Sequence, residues 1–464
     1  MKNDPKVAAI IVNWNKKNDA LRLLGSLKAI DYDNYDILVI DNASTDDSVK
    51  AIKEQFPEID LTVNPENLGG TGGFNSGMRR ALEKAGYEFL WLLDNDAVVE
   101  QNTLRELVNT MESDDRIGLA GSRIVDPERR DITVEAGAFI KKDSIGVSPL
   151  YRNVKNLTVL DTTADVDYVA ICSALVRASA LESVGLMDER YFIFWDDMDW
   201  GISFKRKGFR VVSVLDSIAY HPAFTEKRGP LVDCYYGNRN SLLTYAKYTG
   251  SWKTAQVFHT SLRQLCTNIV LLGLNGKTAT LMLSVSGVYD FAAGNWGKIP
   301  RTVKFDDTEH HNPGLQPDAR NILILNDGSR DQIQGAFECL KTYYPGARFT
   351  LLITSDRKDF FKTSFENIIT IDIKKPYSVF YLLSLFIGVL RKEFDISVSF
   401  TNSSPFLYAT GKSYVFDSVT GEFYKTGNDL WNIWKPVLST LSGEIMSIIL
   451  LPILWASSLK YKKS

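Results

Sequence analysis

The chain has 464 residues, of which 45% are hydrophobic, and its 53 basic side chains nearly balance its 56 acidic ones. This length argues for two or three domains, and the formal net charge of −3 argues against nucleic acid as the main partner. The four cysteines form no C-x-x-C pair, which excludes a zinc ribbon or a thioredoxin-type site and fits a reducing compartment. The short apolar run near the N-terminus is not typical of a signal peptide, so we expect a cytoplasmic protein.

Short β-branched apolar runs alternate with helical patterns over the first hundred residues. The pattern predicts buried strands at 7–12, 37–40, 61–63 and 89–93, with helices at 47–56 and 74–85. Such alternation indicates βαβ units and a parallel sheet, whose ligands bind beyond the carboxyl ends of the strands. We therefore expect one crevice to collect the polar residues that follow the strands: Asn13, Asp41, Asn67 and Asp94.

After residue 134 the strand and helix patterns no longer alternate regularly. We predict strands at 166–173 and 211–214, a helix at 196–207, helices over 231–275 and a terminal loop at 289–297. A polar stretch at 301–317 is the predicted linker. Beyond it, strands at 321–326 and 349–354 flank a helix at 332–343. The predicted domains are thus 1–300, with a helical extension from about 231, and 318–464.

Two apolar segments, 377–390 and 445–459, lie near the end of the chain. Both are shorter than the ~20 residues that a membrane-spanning helix needs. The first is either a buried core helix or a membrane-associated segment. The second is followed by Lys460, Lys462 and Lys463, which favours an anchor lying in the membrane interface.

Asp94-Asn95-Asp96 follows a buried apolar strand directly. Two carboxylates one residue apart can offer oxygens to Mg²⁺ or Mn²⁺, which usually keep substrate phosphates among their ligands. A solvated turn is the alternative, because D-x-D also occurs by chance.

Trp195-Asp-Asp-Met-Asp-Trp200 places adjacent carboxylates between aromatic residues at the start of a predicted helix. Helix capping is one explanation. The other is a sugar-binding face in which one carboxylate acts as a general base. His221 follows a strand-like stretch; an isolated histidine is more often structural, but imidazole beside carboxylates suits Mn²⁺.

The glycine-rich stretch 69–73 matches neither a Walker A sequence nor the dinucleotide fingerprint, which argues against an oxidoreductase. A flexible backbone that lets a bulky ligand approach closely is the remaining interpretation.

Taken in this order and spacing, the motifs resemble the family 2 glycosyltransferases with a GT-A fold, in particular galactofuranosyltransferases and bacterial rhamnosyltransferases. The resemblance covers about residues 6–297 and rests on His221 and the segments VAAIIVNWN, VIDNASTDDS, ENLGGTGGFNSG, WLLDNDAVV and FIFWDDMDWGISFKRKGFRV. It implies an α/β fold: a Rossmann-like, mostly parallel central sheet, then helices and a smaller C-terminal α/β domain with apolar helices. One departure is Asn95, where galactofuranosyl polymerases carry a third acid.

The resemblance also implies roles for individual residues. The nucleotide would be bound by Asn13, Asp41, Asn67, Asp94 and Asn95. Asp96 and His221 match the ligands of Mn²⁺ or Mg²⁺, and Asp197 matches the general base. The sugar or acceptor would contact Gly72, Gly73, Trp195, Asp196 and Trp200. Arg239 would face the diphosphate, with an ordinary surface arginine as the alternative.

The implied enzyme is an inverting, metal-dependent glycosyltransferase that moves galactofuranose from UDP-galactofuranose onto a growing, lipid-linked cell-surface polysaccharide such as an O-antigen or cell-wall glycan. A dTDP-rhamnose-dependent rhamnosyltransferase is the alternative, and a non-catalytic glycan-binding scaffold is a third possibility. A lipid-linked acceptor would make the protein peripheral on the cytoplasmic face of the cell membrane. The linkage, the oligomeric state (a homo-oligomer included) and the role of 318–464 stay open.

Overall fold

The computed structural model describes residues 4–84, 86–142, 145–152, 154–157, 161–222, 231–248, 251–274, 278–299, 318–325, 330–354, 361, 365, 367–371, 394–399, 413–417, 422–425 and 430–461. They form two compact units. The first comprises Met1–Leu262, Ala279–Val303 and Ile449–Ser464, and the second comprises Arg263–Thr278 and Lys304–Ile448.

The first unit begins with strands and helices in alternation. In chain order they are β1 (Val7–Asn13), α1 (Lys17–Leu27), β2 (Tyr35–Asp41), α2 (Ser48–Gln55), β3 (Asp60–Val63), α3 (Gly69–Lys84) and β4 (Phe89–Asp94). The strands are parallel in the order β3-β2-β1-β4, with Asn13 beside Asp41 and Val12 beside Asp94. The predicted strands are confirmed, whereas α3 begins five residues earlier than the predicted 74.

Both faces of β1 are buried, which explains its unbroken apolar sequence. Ile11 and its alternate neighbours pack with Leu23 and Leu24 of α1, while Ile10 packs with Met78 of α3 on the opposite face. Full burial of each such side chain contributes about 1.5–3 kcal/mol. This packing fixes where the strands end, and therefore where the polar residues after them lie.

The sheet then continues with mixed pairing. The further elements are β5 (Val98–Val99), α4 (Thr103–Ser113), β6 (Ile117–Val125), β7 (Ile132–Glu135), β8 (Ala138–Ile140), β9 (Val147–Pro149), β10 (Val154–Lys155), β11 (Thr163–Asp165), β12 (Ser173–Arg177), α5 (Leu181–Val184), α6 (Asp196–Arg206) and β13 (Arg210–Tyr220). β12 lies antiparallel between β4 and β6, and β13 is parallel to β6. The predicted strand at 166–173 is wrong: Val166 and Val169 are buried in irregular backbone, and burial alone does not distinguish a strand from a buried loop.

Helices follow β13, and they belong partly to each unit, since Arg263–Thr278 is part of the second. A π-helical turn (Leu231–Tyr236) leads into α7 (Gly237–Tyr248), which is followed by α8 (Ser251–Leu274) and α9 (Thr278–Ala293). The predicted helices over 231–275 are confirmed. The predicted loop at 289–297 is half wrong, since α9 continues to Ala293.

The second unit contains a sheet in the order β16-β15-β14-β17-β18-β19, parallel except for the last pair. Its elements are β14 (Asn321–Leu325), α10 (Arg330–Tyr343), β15 (Arg348–Thr354), β16 (Asn367–Ile371), β17 (Ile396–Ser399), β18 (Ser413–Asp417) and β19 (Glu422–Lys425). The predicted α/β class is confirmed. The predicted linker at 301–317 and the apolar segment at 377–390 lie outside the described residues.

The last helix, α11 (Leu430–Leu459), continues through Pro452. Among the described residues it holds the one stretch, Leu441–Leu459, that is long and apolar enough to cross a membrane. This corrects the expectation that the C-terminal apolar segment is too short for that, because the helix begins before residue 445.

Candidate active site

A buried hydrogen-bond network joins the carboxyl ends of β1, β2 and β4. The Asn13 amide donates to Asp41 (2.9 Å) and accepts from the Asn95 amide (2.9 Å). The Ser44 hydroxyl donates to Asp41 at 2.7 Å. Asn13 and Asp41 are fully buried, which corrects the expectation that they bind the nucleotide directly: they hold the strand ends that surround the crevice, while Asn95 is only partly buried. Asn67 accepts from the Gly69 amide and caps the start of α3.

Asp94, Asp96 and His221 meet although the histidine lies 127 and 125 positions after the two acids. Antiparallel pairing of β5 with β13 places Val98 opposite Tyr220, so the residues just before β5 and just after β13 become neighbours. The His221 Nε2 lies 3.0 Å from Asp96 Oδ1 and 3.8 Å from Asp94 Oδ2. The three residues thus offer three potential metal-ligand atoms that lie within 4.8 Å of one another.

The charges in this cluster interact strongly. Desolvation, together with the negative charges of Asp96 and Asp196, raises the pKa of Asp94 to about 6, against the opposing effect of His221. Burial opposes the charged form of His221, but Asp96 and Asp94 outweigh it and raise the pKa of the imidazole. A cation would therefore stabilise the charged carboxylates and replace the proton on the imidazole.

The donor set fits a divalent cation of the manganese type. Two carboxylates suit both Mg²⁺ and Mn²⁺, and the imidazole favours a transition metal. His221 Nδ1 lies 2.8 Å from the carbonyl oxygen of Pro222. That contact leaves Nε2 facing the acids, which is the usual arrangement behind a metal-bound histidine.

A second pair of acids, Asp196 and Asp197, occupies the first turn of α6. The Thr71 hydroxyl of α3 donates to Asp196 at 2.7 Å, and the Met198 amide donates to Asp197 at 2.8 Å. Burial raises the pKa of Asp196, although the Thr71 hydroxyl and nearby backbone hydrogen bonds oppose the shift. Asp197 is half-buried, so a ligand can reach its carboxylate.

The two pairs of acids share one neighbourhood beside β12. Burial raises the pKa of the Cys172 thiol, and the nearby charges of Asp94, Asp96 and Asp197 raise it further. The metal-ligating candidates and the base candidate therefore lie close enough to act electrostatically on the same buried thiol.

The glycine-rich stretch has a structural explanation. A Cβ on Gly73 would lie 2.6 Å from Val12 Cγ1, and one on Gly72 would lie 2.6 Å from Leu68 Cβ. Gly72 and Gly73 are thus buried in α3. The expectation that they contact sugar is corrected: Gly73 allows α3 to pack closely on β1, and Gly72 leaves room for the side chain of Leu68.

Both tryptophans are buried, which corrects the expected sugar-stacking face. Trp200 is 1% exposed, packs against Phe204 and donates to the Gly185 carbonyl. Trp195 is 6% exposed and packs edge-on against Tyr245. Their aromatic character reflects core packing.

Arg239 is also corrected, because it is neither a surface arginine nor a diphosphate contact. It is fully buried and donates to backbone carbonyls, among them those of Tyr191 (3.1 Å) and Gly297 (2.8 Å).

Sequence reasoning missed three residues that hold this site. Ser44 and Thr71 bond to Asp41 and Asp196, and Lys247 of α7 bridges Asp188 and Asp199 at 2.8 Å each. Ser44 lies in the segment VIDNASTDDS and Thr71 lies in ENLGGTGGFNSG. Their hydroxyl groups could therefore have been proposed from the sequence as hydrogen-bond partners of the acids. No sequence signal marked Lys247, because its partners lie about 50 residues away in the chain.

The two acids bonded to Lys247 have pKa values shifted in opposite directions. Burial disfavours the charged form of Asp188, but bonds from Arg190 and Lys247 outweigh it and lower the pKa of Asp188 to about 2. For the more deeply buried Asp199, burial prevails over Lys247 and Tyr191 and raises the pKa.

Residues 8–183 match the family model "Glycosyl transferase family 2". This part of the chain is a family 2 glycosyltransferase domain. The resemblance inferred from the motifs and the predicted enzyme class are thereby confirmed. The domain contains the strand-end network and the two acids at 94 and 96.

Three curated relatives are similar to about half of the chain. The chain is 27% identical over 261 residues to the O-antigen biosynthesis protein RfbC of Myxococcus xanthus, covering 53% of this chain but only 19% of RfbC. It is 26% identical to galactofuranosyltransferase GlfT1 of Mycobacterium tuberculosis, covering 49% of this chain and 73% of the relative. It is 23% identical to the N-acetylglucosaminyl-diphospho-decaprenol L-rhamnosyltransferase of that organism, covering 50% and 81%.

Among solved structures, the mannosyltransferase PcManGT of Pyrobaculum calidifontis, in complex with GDP-Man and Mn²⁺, is similar over 63% of this chain and 89% of its own. The TM-score is 0.41 and the sequence identity is 17%.

Proposed function

We propose that this protein transfers a sugar from a nucleoside diphosphate to a hydroxyl acceptor with inversion at the anomeric carbon, assisted by a divalent cation. The observation that carries the proposal is the meeting of Asp94, Asp96 and His221 within 4.8 Å. The charge of Asp197 acts on the same buried thiol, Cys172, as those of Asp94 and Asp96, which supports placing the base nearby. Each transfer releases a nucleoside diphosphate, whose negative charge grows as the bond breaks.

Asp96 and His221 would hold the cation, with Asp94 contributing an oxygen to it or to the ribose. When bound, the cation would neutralise charge on the departing diphosphate as a Lewis acid. Asn13, Asp41 and Asn95 would shape the pocket for the nucleoside.

Asp197 would act as the general base. Its carboxylate takes the proton of the acceptor hydroxyl as the hydroxyl oxygen bonds to the anomeric carbon and the diphosphate leaves from the opposite side. Such assistance contributes about 10²–10⁴-fold to the rate. Asp196, held by Thr71, would hydrogen-bond a sugar hydroxyl beside it.

For the donor we propose UDP-galactofuranose, supported by the likeness to a galactofuranosyltransferase. dTDP-rhamnose is the second candidate, supported by the likeness to a rhamnosyltransferase. The acceptor proposed is a lipid-linked oligo- or polysaccharide.

A donor panel tests the proposal. The purified full chain, Mn²⁺ and an oligosaccharide acceptor are incubated with each nucleotide sugar, and nucleoside diphosphate release is measured beside an Asp197→Asn control. We expect release with one donor and at least about 100-fold less with the variant. If no donor yields release, the glycan-binding scaffold becomes the better explanation.

We also propose that the protein is peripheral on the cytoplasmic face of the membrane. Several apolar side chains of α11 are exposed, with Ile449 at 62% and Ile453 at 53%, while Leu454 and Ser458 on the other face are buried. A helix with one face packed against protein and one apolar face exposed suits the surface of a bilayer. Lys460 follows the helix and suits anionic lipid headgroups.

Vesicle sedimentation tests this location. Tyr461 packs against Phe291 and Trp296, so point substitutions disturb the fold less than truncation would. We expect Ile449→Asp with Ile453→Asp to abolish binding to anionic vesicles, whereas Tyr343→Asp, an acidic substitution at an exposed site of α10, leaves it unchanged. Equal sedimentation of all three proteins would contradict the proposal.

A further inference from the structure

Residues 191–195, which lead directly into Asp196 and Asp197, have an unusual backbone. Phe192, Phe194 and Trp195 have φ angles of 67°, 68° and 72°. Residues with a side chain rarely adopt this left-handed conformation, and bulky ones do so only where surrounding contacts impose it. The segment therefore depends on whatever holds its peptide groups.

Asn240, in the first turn of α7, provides one set of these contacts. Its Nδ2 donates to the carbonyl oxygens of Tyr191 (3.0 Å), Ile193 (2.9 Å) and Phe194 (2.7 Å). One side-chain amide thus gathers three carbonyls of a five-residue segment. The successive carbonyls of Ile193 and Phe194 would point in opposite directions in an extended chain, so the left-handed backbone is what lets both face Asn240.

Arg239 provides the second set. Its Nη2 donates to the carbonyls of Arg190 (3.2 Å) and Tyr191 (3.1 Å), and its Nε donates to Asn240 Oδ1 (3.0 Å). The last bond fixes the orientation of the Asn240 amide, so that Nδ2 faces the segment. Arg239 therefore acts on the segment both directly and through Asn240.

The partners of the Arg239 guanidinium all lie in the protein interior. Burial lowers the pKa of the guanidinium, and the rings of Tyr235 and Tyr236 lie 5.2 and 5.1 Å from its central carbon. The Tyr235 hydroxyl accepts from Arg239 and donates to Asp290 at 2.7 Å. A buried charge connected to an acid through a hydroxyl is costly to create and strongly destabilising to disrupt.

We propose that Arg239 and Asn240 are positioning residues, which hold 191–195 in the conformation that places Asp196 and Asp197 at the crevice; this rests on the proposed transfer reaction. Both side chains are fully buried, so they act through the backbone of 191–195. Loss of either would leave the metal cluster intact, because strand pairing builds that cluster independently. The rate of transfer would fall while nucleotide binding persists.

The test compares Asn240→Ala with Ser241→Ala, a buried neighbour whose hydroxyl bonds only within its own helix, to the Asn238 carbonyl. For Asn240→Ala we expect kcat to fall about 10–100-fold, since small displacements of reacting groups have effects of that size. The donor KM and the affinity for Mn²⁺ with UDP should stay within about twofold, as no contact to them changes. Ser241→Ala should leave both kcat and KM unchanged.

Hydrogen exchange supplies a readout that needs no catalysis. We expect faster amide exchange over 190–197 in Asn240→Ala, but not in Ser241→Ala. Arg239→Lys, which keeps the charge but loses the fork of donors, should show the same pattern if Asn240→Ala fails to fold. Unchanged exchange over 190–197 and unchanged kcat in these variants would overturn the inference. An inactive wild-type protein would refute the proposed function instead, and exchange would still report on the segment.

Discussion

The two acidic clusters of the first unit are built in different ways. Asp94 and Asp96 with His221 lie at the ends of β4 and β13, and backbone pairing of the sheet brings them together. Asp196 and Asp197 follow a left-handed segment that side chains of α7 hold in place. One cluster depends on the sheet, and the other depends on a few buried hydrogen bonds.

In the proposed mechanism, this difference separates cation binding from proton transfer. Changes in α7 should affect the acids of α6 without touching the cation ligands, whereas changes at the strand ends should do the reverse. The predictions below test that separation.

The largest expected effect comes from replacing Asp197, the proposed general base. Asp197→Asn should lower kcat by about 10²–10⁴-fold, because the amide cannot accept the acceptor's proton. Affinity for nucleoside diphosphate with Mn²⁺, measured by calorimetry, should stay near the wild-type value. Near-normal turnover would mean that another residue is the base.

Lys247→Met should destabilise the fold by about 3–5 kcal/mol, because it leaves the buried Asp199 without a cation, although Asp188 keeps Arg190. Urea unfolding measures the loss. Lys341→Met, a substitution in the last turn of α10, is the control for removing a lysine and should have little effect. A similar small change in both variants would show that the buried lysine contributes no net stability.

Gly73→Ala should destabilise by about 1–3 kcal/mol, since its Cβ would overlap Val12 and Asn42. Gly70→Ala is the matched control in the same helix, because nothing lies within 4 Å of a Cβ there. Thermal melting of the two variants distinguishes packing from a ligand-binding role. Equal melting temperatures combined with a loss of donor binding only in Gly73→Ala would restore the original interpretation.

Much of the sheet was predictable, and the limits have physical causes. The buried strands and the acids after them follow from apolar periodicity and from the geometry of parallel sheets. The meeting of His221 with Asp96 requires pairing between residues 120 apart, which no local pattern encodes; the family resemblance supplied it. Trp200 and Arg239 were misassigned because residue type does not reveal whether a side chain faces solvent or the core.

The left-handed segment was not predictable at all. Its residues are aromatic, and the composition of Phe192–Trp195 contains no glycine or asparagine that would suggest such a backbone. The contacts that impose it come from α7, more than 40 residues later in the chain.

The central claim is that the acids of β4 and the imidazole after β13 bind one cation together with a nucleoside diphosphate. Electron paramagnetic resonance of Mn²⁺ titrated into the protein with UDP tests it most directly, comparing wild type, Asp96→Ala and Asp216→Ala, an exposed acid of β13 that serves as control. We expect the apparent Kd for Mn²⁺ to rise at least about 100-fold in Asp96→Ala alone, since even outer-shell losses cost about 10–100-fold. Equal Mn²⁺ affinity in all three proteins would contradict the account.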